Sequence, residues 1–274
     1  MNVLEVNVNH KEMFEGFQNT PLLWENTELV GLKQFRITNT SQTYKPNEPS
    51  KLLRLGKWIE AYTSFQLNAE IDIDIIEENI QIKRDKRTIG ELDLLLLKDN
   101  EPIHLEIAYK FYLYDTRATY SNPLEYWIGP NRNDSLSQKI KKLNEKQLPL
   151  LHKAETVSFL KNLNINPFDV KQYVNLKAQL YVPFNMNLND IYPLNKGCIK
   201  GWYLAYESIG ELKEFQFYLP TKLHWLCEPK LKVNWMNFDE AHSQIRTFIE
   251  NEQSPLCWVK MPNNALEKCF ITWW

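Results

Sequence analysis

Residues 90–114 read GELDLLLLKDNEPIHLEIAYKFYLY. The KDNEP segment in the middle carries Asp, Asn and Pro, the composition of a turn. The two arms around it therefore form an antiparallel hairpin. Leu94 to Leu97 is apolar at every position, and so is much of Ile107 to Leu113. A strand with one wet face alternates, whereas a strand apolar on both faces is covered on both. The hairpin thus belongs inside a central sheet sandwiched by helices, which is an α/β fold of three layers.

The flanking sequence supplies the outer layers. A helix begins near Lys51, with Leu55, Trp58, Ile59, Tyr62 and Gln66 on a helical course, and ends near Asn68. Residues 70–90, EIDIDIIEENIQIKRDKRTIG, alternate as a strand pair around a turn at Asn79, with Lys83–Arg87 as a solvated strand end or turn. Residues 115–133 form a loop. A helix follows, with Ser135 and Gln138 in capping-box spacing and Leu136, Ile140 and Leu143 as its apolar stripe, and Pro149 ends it. A further helix covers about 150–162, and a strand runs from Leu176 to Val182.

Residues 1–50 form an N-terminal extension with a short helix near 10–18 and a polar loop, TNTSQTYKPNEPS, at its end. Residues 51–185 form the core. Residues 186–274 hold six of the nine Trp and short strand-like runs (GWYLAY, EFQFYL, CWVKM, CFITWW) with one helix near 238–251, which reads as a mixed α+β lobe. His224 and Trp225 fall in another such run, where core packing is the ordinary role of an aromatic residue.

Composition narrows the function. The 274 residues carry a formal net charge of −2, so the chain is not a basic nucleic-acid coat, and any such contact comes from a local patch. Cys198, Cys227, Cys257 and Cys269 show no C-x-x-C spacing, which fits reduced cysteines in a cytoplasmic protein. The N-terminus carries acids and lacks a long apolar core, so neither a signal peptide nor a membrane span is expected.

The hairpin also carries candidate chemistry. Alternation puts Glu106, Ala108 and Lys110 on one face, and Asp93 on the neighbouring arm converges with Glu106 in the right register. Two carboxylates side by side need a cation or a proton, and oxygen ligands suit Mg²⁺ or Mn²⁺. Lys110 would add positive charge beside them. Glu106 and Lys110 as a plain ion pair is the ordinary alternative. Arg132, Lys139, Lys141, Lys142 and Lys146 gather around the next helix against only Asp134 and Glu145. Lys139, Lys142 and Lys146 make a ridge suited to a phosphate backbone, or simply a solvated helix face. His104 shares the face of Glu106, where a structural role is the simpler one.

The order of a helix bearing Glu60, strands with G-E-L-D and E-I-A-Y-K, then a helix, resembles the core of the PD-(D/E)XK (restriction-endonuclease-like) nucleases. LGKWIEAY, GELDLLLL, HLEIAYKFYLY, WIGPNRNDSLSQKIKKL, KGWYLAY and LPTKLHWL together resemble a bacterial domain-of-unknown-function family assigned to that superfamily. The resemblance implies metal-dependent cleavage of nucleic acid, DNA in the first instance. Asp93 and Glu106 would hold Mg²⁺, Lys110 would assist the water, Glu60 would support the site, and Arg132, Lys139, Lys142 and Lys146 would hold nucleic acid. The pattern's lysine stands two residues after the glutamate, where this chain has Ala108. That departure keeps a binding module without catalysis open, and the Trp-rich lobe keeps a protein-interaction scaffold open.

Overall fold

The computed structural model describes residues 9–25, 28–46, 53–188 and 190–274. Residues 51 and 52, where the second helix was expected to begin, lie outside the described residues, as do the last four of the polar loop.

The 90–114 stretch forms β2 (Arg87–Lys98) and β3 (Glu101–Tyr114), joined at Asp99 and Asn100. Both turn residues take positive φ (50° and 65°), the geometry of the two-residue turn that follows strand twist and suits Asp and Asn. Both faces are covered, as the unbroken apolar runs require. Leu94 and Leu96 pack with Leu105 under α1 (His10–Gln18) and α2 (Leu55–Leu67). Leu92 and Leu95 pack on the opposite face with Leu150, Leu151 and Leu160.

The remaining strands are β1 (Ile73–Arg84), β4 (Trp127–Ile128), β5 (Lys171–Pro183), β6 (Ile199–Ala205), β7 (Gln216–Tyr218), β8 (Leu256–Lys260) and β9 (Leu266–Thr272). One mixed sheet takes all nine, in the order β1-β2-β3-β5-β6-β9-β8-β7, with β4 on β3. The β1-β2-β3 meander is antiparallel, β3-β5-β6-β9 is parallel, and β8 and β7 return antiparallel. The Trp-rich C-terminal region thus extends the sheet of the core. Its helix α5 (Phe238–Ile249) starts from a full capping box between Asn237 and Glu240 and covers Trp202, Phe217, Cys257 and Cys269. Helices α3 (Leu136–Lys142) and α4 (Ala154–Asn162) lie on that same side of the sheet, opposite α1 and α2. The described helices therefore flank a central mixed sheet in an α/β arrangement.

Four local expectations change. No turn forms at Asn79: β1 runs through it, and the chain reverses at Asp85 and Lys86. Asn79 instead spends its tolerance of positive φ (55°) inside the strand. The helix after Pro149 starts only at Ala154, because residues 148–152 form a 3-10 turn. Strand β5 begins five residues before Leu176, where Asn175 is buried but bonded: its Nδ2 donates to the Phe35 carbonyl at 2.9 Å. His224 and Trp225 sit in a 3-10 turn, Lys222–Leu226, rather than a strand. All four cysteines are free and buried. Among the described residues no helix is long and apolar enough to cross a membrane.

Candidate functional site

The sheet opens along β3. Its pairing with β2 stops at Leu94↔Leu105, and its pairing with β4 starts only at Leu113↔Ile128. Between those points β3 has β5 on one side and, among the described residues, no strand on the other. Asp93 stands where the ladder ends, one step beyond Leu94. Its Oδ2 accepts the Ile107 N–H at 2.8 Å, taking the place of a backbone carbonyl. Backbone alternation turns the N–H groups of Tyr109 and Phe111 to the same open side. A cleft of about 380 Å³ lies there, lined on one flank by Ile59 and Glu60 and on the other by Lys110, Asp134 and Lys139.

Continuing the β2-β3 register places Glu106 opposite Asp93, so the two sequence-predicted carboxylates do share a face. Glu106 is fully buried, yet in a polar nest rather than a dry core. Its Oε1 is 2.9 Å from His104 Nε2, and its Oε2 accepts from Gln147 Nε2. Gln147 in turn accepts from Lys139 Nζ at 2.9 Å. On the far side, Gln172 Nε2 meets His104 Nδ1 at 2.9 Å and the Leu148 carbonyl at 2.7 Å. With both Gln172 amide hydrogens donated, His104 is left to donate through Nε2 to Glu106, which fixes its tautomer.

Burial raises the Asp93 carboxyl to about 7, the facing Glu106 carboxylate adds to the rise, and the Ile107 N–H and Lys139 oppose it. Burial lowers Lys139 to about 8, while Glu106 and Asp93 pull it back up and Lys142 and Lys110 push it down. The cluster therefore holds two acids and one dependent cation, short of positive charge. Mg²⁺ is commonly bound through one or two carboxylates and keeps several waters; here both Glu106 oxygens and Asp93 Oδ2 already accept hydrogen bonds from the protein. Among the described residues no group of three His, Cys, Asp or Glu side chains is assembled for a metal, and water would have to complete the shell.

The other sequence-predicted residues divide. Lys110 Nζ pairs with Asp134 Oδ2 at 2.7 Å, at the cleft wall, and so is held by a partner other than Glu106. Glu60 lines the cleft, with Lys57 Nζ 2.7 Å from its Oε2; the same ammonium is 2.7 Å from Asn79 Oδ1 and 3.5 Å from Glu91. Arg132 is committed to the loop it sits in: its guanidinium is 2.9 Å from the buried Asp115 and 4.7 Å from the Trp274 ring. Lys142 and Lys146 are exposed, whereas Lys139 turns inward. The expected ridge of three is therefore split.

Lys139 and Lys142 both lie within α3, about 60° apart around it, and Lys139 is the nearer to the buried Leu136 and Ile140. Pro149 has no N–H to give an i−4 carbonyl and its ring crowds that turn. The helix accordingly leaves α3 through a π turn (Leu143–Gln147) and a 3-10 turn (Leu148–His152). The wider turn moves Gln147 over Lys139 and Glu106; π turns recur at functional sites. Sequence reading missed Gln147 and Gln172, and gave Lys139 a different task. Pro149 just after the Lys-rich helix was the available signal for Gln147. Gln172 carries none, since only the parallel pairing of β5 on β3 brings it to His104.

Comparison with known proteins bears on the family alone. No curated protein and no solved structure matches the chain. A family model described as a domain of unknown function, DUF1853, matches residues 34–269. That span contains β1 to β8 and all but the last three residues of β9, both carboxylates, Lys139, Gln147 and Gln172, and the chain belongs to the DUF1853 family.

Proposed function

We propose that this protein is a metal-dependent nuclease of the PD-(D/E)XK type, hydrolysing phosphodiester bonds of nucleic acid in the cytoplasm. The observation that carries the reading is the carboxylate pair: Asp93 and Glu106 face each other at the end of an opened strand ladder, with Asp93 raised to about 7 by burial and by the facing Glu106. A bound Mg²⁺ or Mn²⁺ would neutralise the pair and polarise a phosphodiester oxygen. Lys139 offers a buried ammonium to the same space and replaces the strand lysine missing at Ala108. Gln147 and His104 orient Glu106, as outer-shell partners orient a metal-binding carboxylate. Lys110 is set at the cleft wall by Asp134, close enough to meet a phosphate there.

The test is cleavage of duplex DNA, single-stranded DNA and RNA with Mg²⁺, Mn²⁺ or EDTA, comparing wild type with Asp93→Asn and Glu106→Gln. Metal-dependent cleavage lost in both variants supports the reading. A second reading, nucleic-acid binding without turnover, is favoured by the occupation of both Glu106 oxygens by protein donors. It expects binding that falls with salt, no metal-dependent product, and no change in either variant.

A further inference from the structure

We infer that Trp225 and Lys222 form a stacking platform for an unpaired nucleotide, so that substrate reaches the carboxylates as a single strand. The inference rests on the nuclease reading and adds to it the form of the nucleic acid. Two hollows meet at this pair. The 380 Å³ cleft over β3 includes Lys222 and Trp225 in its wall. A second hollow of about 490 Å³, lined by Asn131, Thr221, Gln244 and Phe248, includes the same two residues. They stand at the wall common to both.

Trp225 is built to stay put. Its ring meets Phe111 and Phe270 nearly at right angles, with centroids 5.3 and 5.1 Å away. Its carbonyl accepts from Lys268 Nζ at 3.4 Å and Gln179 Nε2 at 3.5 Å, both from strands of the buried sheet. The side chain nevertheless remains partly exposed, and the exposed Lys222 places its ammonium 5.5 Å from the ring centroid. The ammonium lies over the ring, so a base that stacks on that face takes its place and leaves it to the phosphate, and stacking of this kind tolerates any base.

Geometry selects the single strand. Glu106 is fully buried beside Ile107, which lines the cleft, and 380 Å³ is the size of a pocket for one small molecule. A duplex keeps its base faces inside the stack, out of reach of a fixed ring. An unpaired strand can lay one base on Trp225 and send the next phosphate toward Lys139 and Lys110, which share the cleft.

Fluorescence anisotropy in EDTA, where metal-dependent cleavage is absent, tests the platform with labelled single-stranded DNA, single-stranded RNA and duplex DNA of one sequence. Wild type is expected to prefer the single strands, and the two single-strand arms report which sugar is accepted. Trp225→Ala weakens single-strand binding roughly tenfold and leaves duplex binding unchanged. Trp225→Phe, which keeps an aromatic ring against Phe111 and Phe270, retains most of the affinity. Lys222→Ala, at an exposed position, lowers the slope of log affinity against log salt by about 0.7. A wild type that prefers duplex or binds neither form, or equal single-strand binding by wild type and Trp225→Ala, overturns the platform. If Trp225→Ala does not fold, the Phe and Lys222 variants decide. The platform binding pattern without cleavage in Mg²⁺ would leave the platform standing and remove the nuclease; cleavage insensitive to Trp225→Ala and Lys222→Ala would do the reverse.

Discussion

Two regions of this molecule bury a lysine among polar groups, and they differ in what the lysine is for. Lys177 lies on β5 under α1, and burial lowers its ammonium to about 8, much as at Lys139. Its Nζ donates to the carbonyls of Phe17 and Gln18 at 3.1 and 3.2 Å and lies 4.6 Å from the Phe17 ring centroid. Those acceptors are neutral and belong to the end of α1, so the lysine ties a helix to the sheet. Lys139 faces two carboxylates that outnumber it and a cleft that opens to solvent. Burial and a perturbed proton affinity are common to both regions. Unbalanced charge beside a cleft belongs only to the second, and that imbalance distinguishes a candidate site from a structural tie.

The contrast breaks most visibly in turnover. Asp93→Asn and Glu106→Gln are expected to cut metal-dependent cleavage by about a thousandfold or more. Lys139→Met is expected to cost on the order of a hundredfold. Lys177→Met should leave the rate of folded protein unchanged while lowering stability by roughly 1–3 kcal/mol, since two buried carbonyls lose a donor. Steady-state rates and denaturant unfolding of the same four proteins read this out. A large rate loss in the Lys177 variant with stability intact would erase the distinction.

Proton linkage separates the regions next. Asp93 is raised from 3.8 to about 7 in the native protein. Between those values the native state keeps a proton that the unfolded chain has lost, so its contribution to stability falls as pH rises from about 4 to about 7. The size is on the order of a few kcal/mol. Relative to wild type, Asp93→Asn should therefore be more stable above pH 7 and alike near pH 4. Lys139 and Lys177, both lowered from 10.5 to about 8, have the opposite signature: stability rises from about pH 8 toward 10.5. On the nuclease reading Mg²⁺ would displace the Asp93 proton, so its stabilisation of the protein, measured as a rise in Tm, should grow as pH passes 7. A wild-type minus Asp93→Asn difference that is flat across pH 4–8 would mean that no proton is held there.

Much of this was legible from residues alone, and the rest was hidden for identifiable reasons. Unbroken leucines in 94–97 declared a doubly covered strand, and period-two alternation put Glu106 on a definite face. Ser135 announced α3 and does accept the Gln138 N–H. Asn79 misled because positive φ serves a strand irregularity as well as a turn. Lys139 misled because it lies beside the buried stripe of Leu136, Ile140 and Leu143, and only the fold shows that Gln147 and the carboxylates meet it there. Trp225 reads as core in any Trp-rich segment, and its position depends on Phe111 of β3 and Phe270 of β9, strands separated by β5 and β6, both reaching its ring. Gln172 and His104 are brought together by a parallel crossover, which no local pattern encodes.

The smallest expected effect marks the edge of the site. Glu60 raises the Asp93 carboxyl, but as the last of the influences on it. Its own carboxylate is held at 2.7 Å by Lys57, with Asn79 and Glu91 sharing the same ammonium. In Glu60→Gln the amide can keep a contact with Lys57, and Asn79 and Glu91 still hold that ammonium. Removing one distant negative charge should then ease Asp93 ionisation slightly. The onset of cleavage would move to lower pH, and the plateau rate would change by no more than roughly threefold, as befits a partly screened charge. Measuring kcat across pH for wild type and Glu60→Gln checks this. A loss comparable to that of Asp93→Asn would place Glu60 among the groups that hold the cation, with Lys57 occupying its position only until the ion arrives.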